Sequence, residues 1–264
     1  MIKSAIIDLY NNEKNEGMRC IKEIMAAAKV KYDVYESRYK GELPGMDYDI
    51  FISSGGPGSP FSGRGKKWEK DYFNLVEKIW NHNQNQSGKK KYIFFICHSF
   101  QMICRFFKFA EVKKRNIESF GVFPFKRTKK GTGDNLLKKL PDPFFAADFR
   151  KYMVVNIDNK KLKELGGEIL AIESETAENG QPAIMALRLS NEIAGVQFHP
   201  EADPKSMMYH FKQAERKKHI VKMYGKQRYD EMIKLLNEPD KIKLTRKTVL
   251  PNFLKNAVKD LNSF

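Results

Sequence analysis

The sequence has few cysteines and no long apolar run. Its 264 residues include three cysteines, Cys20, Cys97 and Cys104, and no two of them form a Cys-x-x-Cys pair. An odd number of cysteines without such a pair argues against a disulfide framework and against a zinc site. No apolar stretch approaches the roughly 20 residues that a membrane-spanning helix needs. We therefore expect a protein without a metal, a disulfide or a membrane partner, in a reducing compartment such as the cytoplasm.

The start of the sequence also lacks the features of a secretion signal. Its short apolar stretch soon meets Asp8, and no small-residue cleavage site follows. Charge is one-sided, since 48 Lys and Arg stand against 32 Asp and Glu, for a net charge of +16. Such an excess suits a polyanionic partner. Because no helix-turn-helix, zinc-finger or RRM signature is present, we interpret it as a solvated basic surface and expect no nucleic-acid partner.

The first 200 residues alternate two kinds of segment. Short apolar runs at 4–10, 32–37, 48–56 and 90–97 are predicted strands, and amphipathic stretches at 17–29, 68–83 and 98–110 are predicted helices. This alternation predicts a parallel sheet covered on both faces, which is a doubly wound, flavodoxin-like α/β fold. Shorter runs between residues 119 and 198, separated by turn residues, predict an antiparallel extension of that sheet.

The C-terminal part of the chain is helical and basic. Residues 205–264 contain 15 Lys and Arg against 6 Asp and Glu. Apolar residues nevertheless recur at spacings of 3 and 4, at Leu250, Phe253, Leu254, Ala257, Val258 and Leu261. Such a stripe predicts a helix that packs on the α/β core or on a second subunit. We predict two units, an α/β domain over residues 1–204 and a helical extension over residues 205–264.

One cysteine lies at a position suited to chemistry. In FFICHSFQ (94–101), Cys97 stands where an apolar strand ends and a helix begins, the context of a nucleophile elbow. The helix N-terminus supplies partial positive charge and free N–H groups, which favour a thiolate and can hold an oxyanion. The alternative is a buried, inert cysteine that acts as a small hydrophobe.

A base for that thiol is available near the end of the predicted α/β unit. In GVQFHPEAD (195–203), Pro200 favours an extended backbone at His199, and residues two apart in an extended segment face the same side. Glu201 can therefore pair with His199 and fix its tautomer, as the third member of a triad does. Taken alone, His-Pro-Glu also fits an ordinary turn.

A glycine-rich loop, SSGGPGSP (53–60), follows the predicted strand YDIFIS. Its backbone can approach a ligand closely. The Lys-Ser/Thr pair of a phosphate-binding loop is missing, which favours a loop that cradles a substrate or an oxyanion over one that binds a nucleotide. A plain β-turn is the alternative.

Together the three segments, SGGPGSP, FICHSFQ and GVQFHPE, resemble the class I glutamine amidotransferases, above all the glutaminase part of GMP synthases and related stand-alone proteins. In that family the motifs S-x-G-P-G-x-P, G-I-C-x-G-x-Q and G-x-Q-F-H-P-E occur in this order. The resemblance covers about residues 1–210. It implies Cys97 as nucleophile, His199 as general base and acid, and Glu201 as the residue that orients the imidazole.

The resemblance also implies the residues around the triad. Gly56 and the backbone N–H of His98 would form the oxyanion hole, while Gly58 and Gln101 would contact the substrate. The family carries a histidine-containing stretch that holds the α-groups of glutamine, and this chain has AADFRKYMVV there instead. Arg150 could bind a substrate carboxylate in its place, or could be a solvated surface arginine.

Two family glycines that flank the nucleophile are replaced, by Phe95 and by Ser99. A sharp elbow crowds its flanks, so we expect Ser99 to fit easily and Phe95 to require some remodelling.

The implied activity is hydrolysis of a carboxamide, of glutamine or of a γ-glutamyl compound, through a cysteine thioester, with release of ammonia and without a cofactor. No S-G-G-x-D-S motif of an ATP pyrophosphatase occurs, so an ammonia acceptor would be a separate synthetase subunit. The chain could also form a homo-oligomer. Two alternatives remain: a γ-glutamyl peptide or amide hydrolase, and a non-catalytic partner-binding protein that keeps the fold.

Overall fold

The computed structural model describes residues 2–85, 88–174 and 181–263. Within these ranges the chain forms strands β1 (Ser4–Asp8), β2 (Tyr32–Glu36), β3 (Ile50–Ser53), β4 (Tyr92–Ile96), β5 (Glu111–Arg127), β6 (Phe144–Val155), β7 (Glu168–Glu173), β8 (Ile184–Arg188) and β9 (Ile193–Val196). The helices are α1 (Gly17–Ala27), α2 (Ser37–Lys40), α3 (Lys67–Asn85), α4 (His98–Phe107), α5 (Lys129–Gly133), α6 (Asn159–Glu164), α7 (Pro204–Lys212), α8 (Ala214–Leu235) and α9 (Ile242–Leu261).

All the strands belong to one sheet, in the order β2-β1-β3-β4-β9-β8-β7-β5-β6. From β2 to β9 the neighbours are parallel, and from β9 to β6 they are antiparallel. The predicted doubly wound sheet with an antiparallel extension is confirmed. One detail differs from the prediction, which places β9 in the antiparallel extension. In the structure β9 pairs in parallel with β4 and antiparallel with β8, so β9 joins the two sections of the sheet.

Helices cover both faces of the parallel section. Side chains alternate along each strand, so Phe94 of β4 joins the core beneath α1 and α9, and its neighbour Phe95 joins the core beneath α3 and α4. Both phenylalanines are fully buried. Burial on both faces explains why β4 is a continuous apolar run without polar alternation.

The C-terminal extension is helical, as predicted, and α9 packs on the α/β core of the same chain. Its apolar stripe lies in the core shared with α1, with Leu250, Phe253, Leu254, Ala257 and Leu261 buried and Val258 half-buried. The ring of Phe253 is 5.0 Å from that of Phe94, and the Tyr92 hydroxyl donates to Asp260 Oδ2 at 3.0 Å.

Helices α7 and α8 cover the antiparallel hairpin formed by β5 and β6. A third apolar cluster joins Phe211 of α7 and Met232 of α8 to Val122 of β5 and Ala147 of β6. These helices thereby reach the edge of the sheet at which the parallel strands end. In the part of the chain that the structure describes, no helix is long and apolar enough to cross a membrane.

Candidate active site

The backbone at Cys97 has an unusual conformation. Cys97 lies between β4 and α4 with φ 47° and ψ −95°, a backbone conformation that residues other than glycine rarely adopt. Its N–H donates to the carbonyl of Val196 at 2.8 Å, and its own carbonyl accepts from the N–H of Gln101 at 3.0 Å. Neighbouring structure therefore holds the strained residue from both sides, as in a nucleophile elbow. The thiol is fixed at the carboxyl edge of the parallel sheet.

The residues flanking the elbow show how it accommodates its departures from the family pattern. Ser99 Oγ accepts from the N–H of Ile96 at 2.8 Å and lies 2.9 Å from the carbonyl of Ser53, so it ties the elbow to β3. Phe95 pairs with Gly195 of β9. A Cβ atom placed on Gly195 would lie only 3.0 Å from Phe95 Cβ, so a glycine on the adjacent strand provides room beside the phenylalanine.

The predicted pairing of His199 with Glu201 is present. The Nδ1–H of His199 donates to Glu201 Oε1 at 2.8 Å, and the Glu201 side chain is 1% exposed. The His199 N–H donates to the carbonyl of Ala147 at 2.8 Å, which connects this segment to β6. On the other side, Arg246 of α9 donates to the Glu201 carbonyl and, at 2.8 Å, to Glu23 of α1. The pair is thus fixed from two directions.

The surroundings of His199 determine its charge. Burial alone lowers the pKa of His199, but the carboxylate of Glu201 and the sulfur of Cys97 favour the imidazolium more strongly. The net result is a pKa well above the usual histidine value. A thiol, an imidazole that keeps its proton and a carboxylate that orients it are in this way combined at one site, and such a set can perform nucleophilic chemistry.

Two glutamine amides lie behind the sulfur. Gln197 Nε2 donates to Cys97 Sγ at 3.6 Å, and Gln197 Oε1 accepts from Gln101 Nε2 at 3.0 Å. Gln101 Nε2 also donates to the carbonyl of Tyr152 at 3.2 Å. The amide nitrogen of Gln101, predicted to contact substrate, therefore already has protein partners. Its role toward substrate stays a prediction.

The glycine-rich loop is held against the end of β1. Arg38 Nη1 donates to the carbonyls of Leu9 at 3.1 Å and Pro57 at 2.9 Å. A Cβ atom on Gly56 would lie 2.5 Å from the Leu9 carbonyl oxygen, so only glycine permits this close approach. Gly58 has φ +81°, in the left-handed region that favours glycine. The two glycines are thus required by the path of the loop beside Cys97.

A cavity of about 360 Å³ opens at this edge of the sheet. It is lined by every residue that the sequence predicted for the site: Gly56, Gly58, Cys97, His98, Gln101, Arg150, His199 and Glu201. The volume falls in the range of small-molecule sites, about 300–1,000 Å³. The His98 ring is buried, and burial, with the nearby charges of Arg38 and Arg105, lowers its pKa to about 3. His98 is therefore neutral near pH 7.

Arg150 is a buried residue and not a solvated surface arginine. Its Nε donates to both carboxylate oxygens of Asp148, at 3.1 and 2.8 Å, and its Nη2 donates to Glu173. Asp148 in turn accepts from the Ser119 hydroxyl at 2.6 Å. Burial lowers the pKa of Arg150, and the two carboxylates more than offset that effect. Its charge is already matched within the protein, and binding of a substrate carboxylate stays a prediction.

Sequence reasoning missed several other residues that line the cavity. They are contributed by the β1–α1 loop, by α7 and by α8, and they include Tyr10, His210 and Arg216. No local pattern distinguishes them. Gln197 could have been found, because it lies two residues before His199 in the same extended segment. Among the described residues no group of three or more His, Cys, Asp or Glu side chains is placed to hold a metal ion.

These features define a doubly wound α/β protein with a cysteine elbow that faces a His–Glu pair. The family profile described as "Glutamine amidotransferase class-I" matches residues 5–216. The chain belongs to the class I glutamine amidotransferase family, and the resemblance seen in the three motifs is confirmed. A comparison with curated proteins gives no significant match.

Solved structures with the same fold are distant in sequence. The chain is similar to a glutamine amidotransferase from Thermotoga maritima, at 14% identity and a TM-score of 0.71, with 98% of each chain covered. It is similar to a putative GMP synthase subunit from Thermoplasma acidophilum, at 15% identity and a TM-score of 0.61, covering 100% of this chain and 97% of that one. The glutaminase domain of CTPS from Trypanosoma brucei, solved with bound acivicin, matches at 15% identity and a TM-score of 0.54, over 76% of this chain and 86% of that one.

Proposed function

We propose that this protein is a cysteine-dependent amidase of the glutamine amidotransferase type, which hydrolyses the carboxamide of glutamine or of a γ-glutamyl compound and releases ammonia. The observation that carries the proposal is the strained elbow at Cys97, which lines one cavity with the hydrogen-bonded pair of His199 and Glu201. An inert structural cysteine would not need a backbone of this kind.

In the proposed reaction the Cys97 thiolate attacks the carboxamide carbon. The backbone N–H groups of Gly56 and His98 receive the oxyanion of the tetrahedral intermediate. His199, which already carries a proton, gives it to the departing nitrogen, and the carbon–nitrogen bond breaks to leave a thioester and ammonia. A water molecule, deprotonated by His199, then hydrolyses the thioester to a carboxylic acid and restores the thiol.

The setting of the reaction is part of the proposal. We infer that the protein acts in the cytoplasm and passes its ammonia to a separate synthetase subunit. Similarity to a putative subunit of GMP synthase supports a partner of this kind. Binding of acivicin by the similar glutaminase domain makes that compound a suitable probe of the cavity. The proposal requires no cofactor.

The test is ammonia release from glutamine and a panel of γ-glutamyl amides, measured for the wild type, Cys97→Ala and Cys104→Ala. We expect turnover that is abolished in Cys97→Ala and retained in Cys104→Ala, because Cys104 is fully buried in α4, away from the cavity. Turnover that survives in Cys97→Ala would show that another group is the nucleophile.

Selective alkylation tests the same proposal without a substrate. Iodoacetamide near neutral pH should modify Cys97 before the other two cysteines. Burial raises the pKa of Cys20 to about 11 and that of Cys104 well above the usual thiol value. Equal or slower modification of Cys97, read by peptide mass spectrometry, would favour a non-catalytic protein that keeps the fold.

A further inference from the structure

The cavity contains two arginines whose surroundings differ. The guanidinium of Arg150 is bound by two carboxylates, those of Asp148 and Glu173. Arg216, near the start of α8, also lines the cavity. Within residues 2–85, 88–174 and 181–263 its partners are His210 and the Phe120 ring, and no carboxylate pairs with it. A cation that faces a small-molecule cavity without a counter-ion is suited to bind an anionic group of a ligand.

Neutral groups hold Arg216 in place. Its Nη1 donates to Nδ1 of His210, and its guanidinium lies 5.7 Å from the centre of the Phe120 ring. Burial, together with the charge of Arg216, lowers the pKa of His210 to about 4. His210 is therefore an uncharged acceptor near pH 7 and takes none of the positive charge away. Two contacts fix the guanidinium, while its charge remains available to a ligand.

Four glutamates line the cavity; Glu13 is exposed on the β1–α1 loop, and the other three have partners. Glu16 pairs with Arg19 at 2.7 Å. Glu118 Oε2 lies 3.8 Å from Lys151 Nζ and 3.7 Å from His219 Nε2. Glu201 is bound to His199. Arg216 is thus the cavity-lining arginine whose charge is left for a substrate, within the described part of the chain.

We propose that Arg216 is a specificity-determining residue that binds the carboxylate of the substrate, which is the α-carboxylate of glutamine or of a γ-glutamyl compound. This inference rests on the proposed function, because it assigns the second end of the substrate whose carboxamide meets Cys97. It assigns to Arg216 a contact that the sequence also suggests for Arg150.

The first test compares two amides that differ only in that carboxylate, L-glutamine and 4-aminobutanamide. In the wild type we expect kcat/KM for glutamine to exceed that for 4-aminobutanamide by about 10- to 100-fold, a typical contribution of charge-assisted hydrogen bonds. Arg216→Met should remove most of that difference through a higher KM for glutamine, and should leave 4-aminobutanamide unaffected. Arg216→Lys should restore part of it.

Lys151→Met is the matched control, since Lys151 is a cation at the rim of the same cavity with a side chain that is 60% exposed. We expect it to leave the ratio of kcat/KM for L-glutamine to that for 4-aminobutanamide unchanged. If Arg216→Met slows both amides equally, or if Lys151→Met has the same effect as Arg216→Met, Arg216 does not recognise the carboxylate.

A binding measurement separates this inference from the proposed function. Calorimetry with L-glutamine, in the Cys97→Ala background, requires no turnover. We expect binding that Arg216→Met weakens by about 10- to 100-fold. If the wild type releases no ammonia and this loss is still seen, the proposed function is wrong and the carboxylate site stands. Unchanged affinity, or no binding in Cys97→Ala, overturns the inference even if Cys97-dependent turnover is found.

Discussion

Phe95 of β4 and Gly195 of β9 are paired residues on adjacent parallel strands, and each accommodates the other next to the elbow. A Cβ atom on Gly195 would be 3.0 Å from Phe95 Cβ, 3.1 Å from the Phe95 carbonyl oxygen and 3.0 Å from Phe100 Cδ2. The Phe95 carbonyl oxygen belongs to the main chain and Phe95 Cβ is bonded to it, so neither atom can move away easily. The fit between β4 and β9 therefore determines the path of the chain into Cys97.

The first prediction concerns this fit. Gly195→Ala should destabilise the protein by about 1–3 kcal/mol through overpacking, and should reduce turnover further by displacing the elbow. Urea unfolding and ammonia release measure the two effects. Gly133→Ala is the control, since nothing lies within 4 Å of its added Cβ. A neutral Gly195→Ala variant would show that β4 and β9 separate without cost.

The second prediction concerns Glu201 and the charge of His199. Glu201→Gln removes the charge that keeps the imidazole protonated and correctly oriented, so kcat should fall by about 100- to 10,000-fold while KM stays nearly constant. Steady-state kinetics give both values. If KM rises and kcat holds, Glu201 binds substrate instead of orienting His199.

The third prediction is the pH dependence that follows from His199. Its pKa is raised on folding, so its contribution to the free energy of unfolding is complete below the ordinary histidine pKa of about 6.5 and is lost as the pH rises through the raised value. An NMR titration of the His199 imidazole should therefore show a protonated ring at pH 7. Glu201→Gln removes the charge that favours the imidazolium, so the ring should titrate at lower pH than in the wild type. A neutral ring at pH 6 in the wild type would contradict this account.

The fourth prediction tests the contact between Gly17 and Tyr10. A Cβ atom on Gly17 would lie 2.2 Å from the Tyr10 hydroxyl oxygen and 3.3 Å from Glu201 Oε1. Gly17→Ala should therefore destabilise the protein by about 1–3 kcal/mol. Tyr10→Phe removes the clashing oxygen and should recover part of the loss in the double variant, so that the two effects are not additive. Additive losses in urea unfolding would mean that the two residues do not compete for this space.

The fifth prediction concerns the packing of α9. Phe253 is 2% exposed between Tyr92 and Phe94, so Phe253→Ala should cost about 3–5 kcal/mol of stability. Lys255→Ala, at an exposed position of the same helix, should change stability by no more than about 0.5 kcal/mol. Chemical denaturation measures both variants. Similar values for the two would mean that α9 is not packed on the sheet in solution.

The fold could be predicted largely because burial leaves a strong pattern in the sequence. The run from Tyr92 to Ile96 and the helix that begins at His98 were visible as an apolar strand and an amphipathic stretch. The start of β6 leaves no such pattern. It begins at Phe144, where AADFR mixes small and charged residues, because Asp148 and Arg150 are buried as an ion pair. A strand that contains a buried charged pair lacks the apolar pattern by which strands are recognised in a sequence.

The part of the site that could be predicted consists of residues that their local sequence distinguishes. Cys97 stands out by its junction, and His199 and Glu201 by their spacing of two. Arg216 and Tyr10 reach the cavity because separate helices and loops converge there, and nothing in the local sequence of either residue records that contact. For Arg150, the partner Asp148 lies two residues away on the same strand, but Glu173 is brought to it from β7 by the arrangement of the sheet.

The hydrogen bond from Arg246 to the Glu201 carbonyl has a consequence for how this chain can be divided. The family match ends at residue 216, so a fragment trimmed there would retain all three sequence motifs. That fragment would lack Arg246, which holds the backbone of Glu201, and α9, which shields Phe94 from water. A fragment can therefore match the family and still lack residues that support the active site. Changes at the C-terminus can therefore alter the site without touching any residue of the motifs.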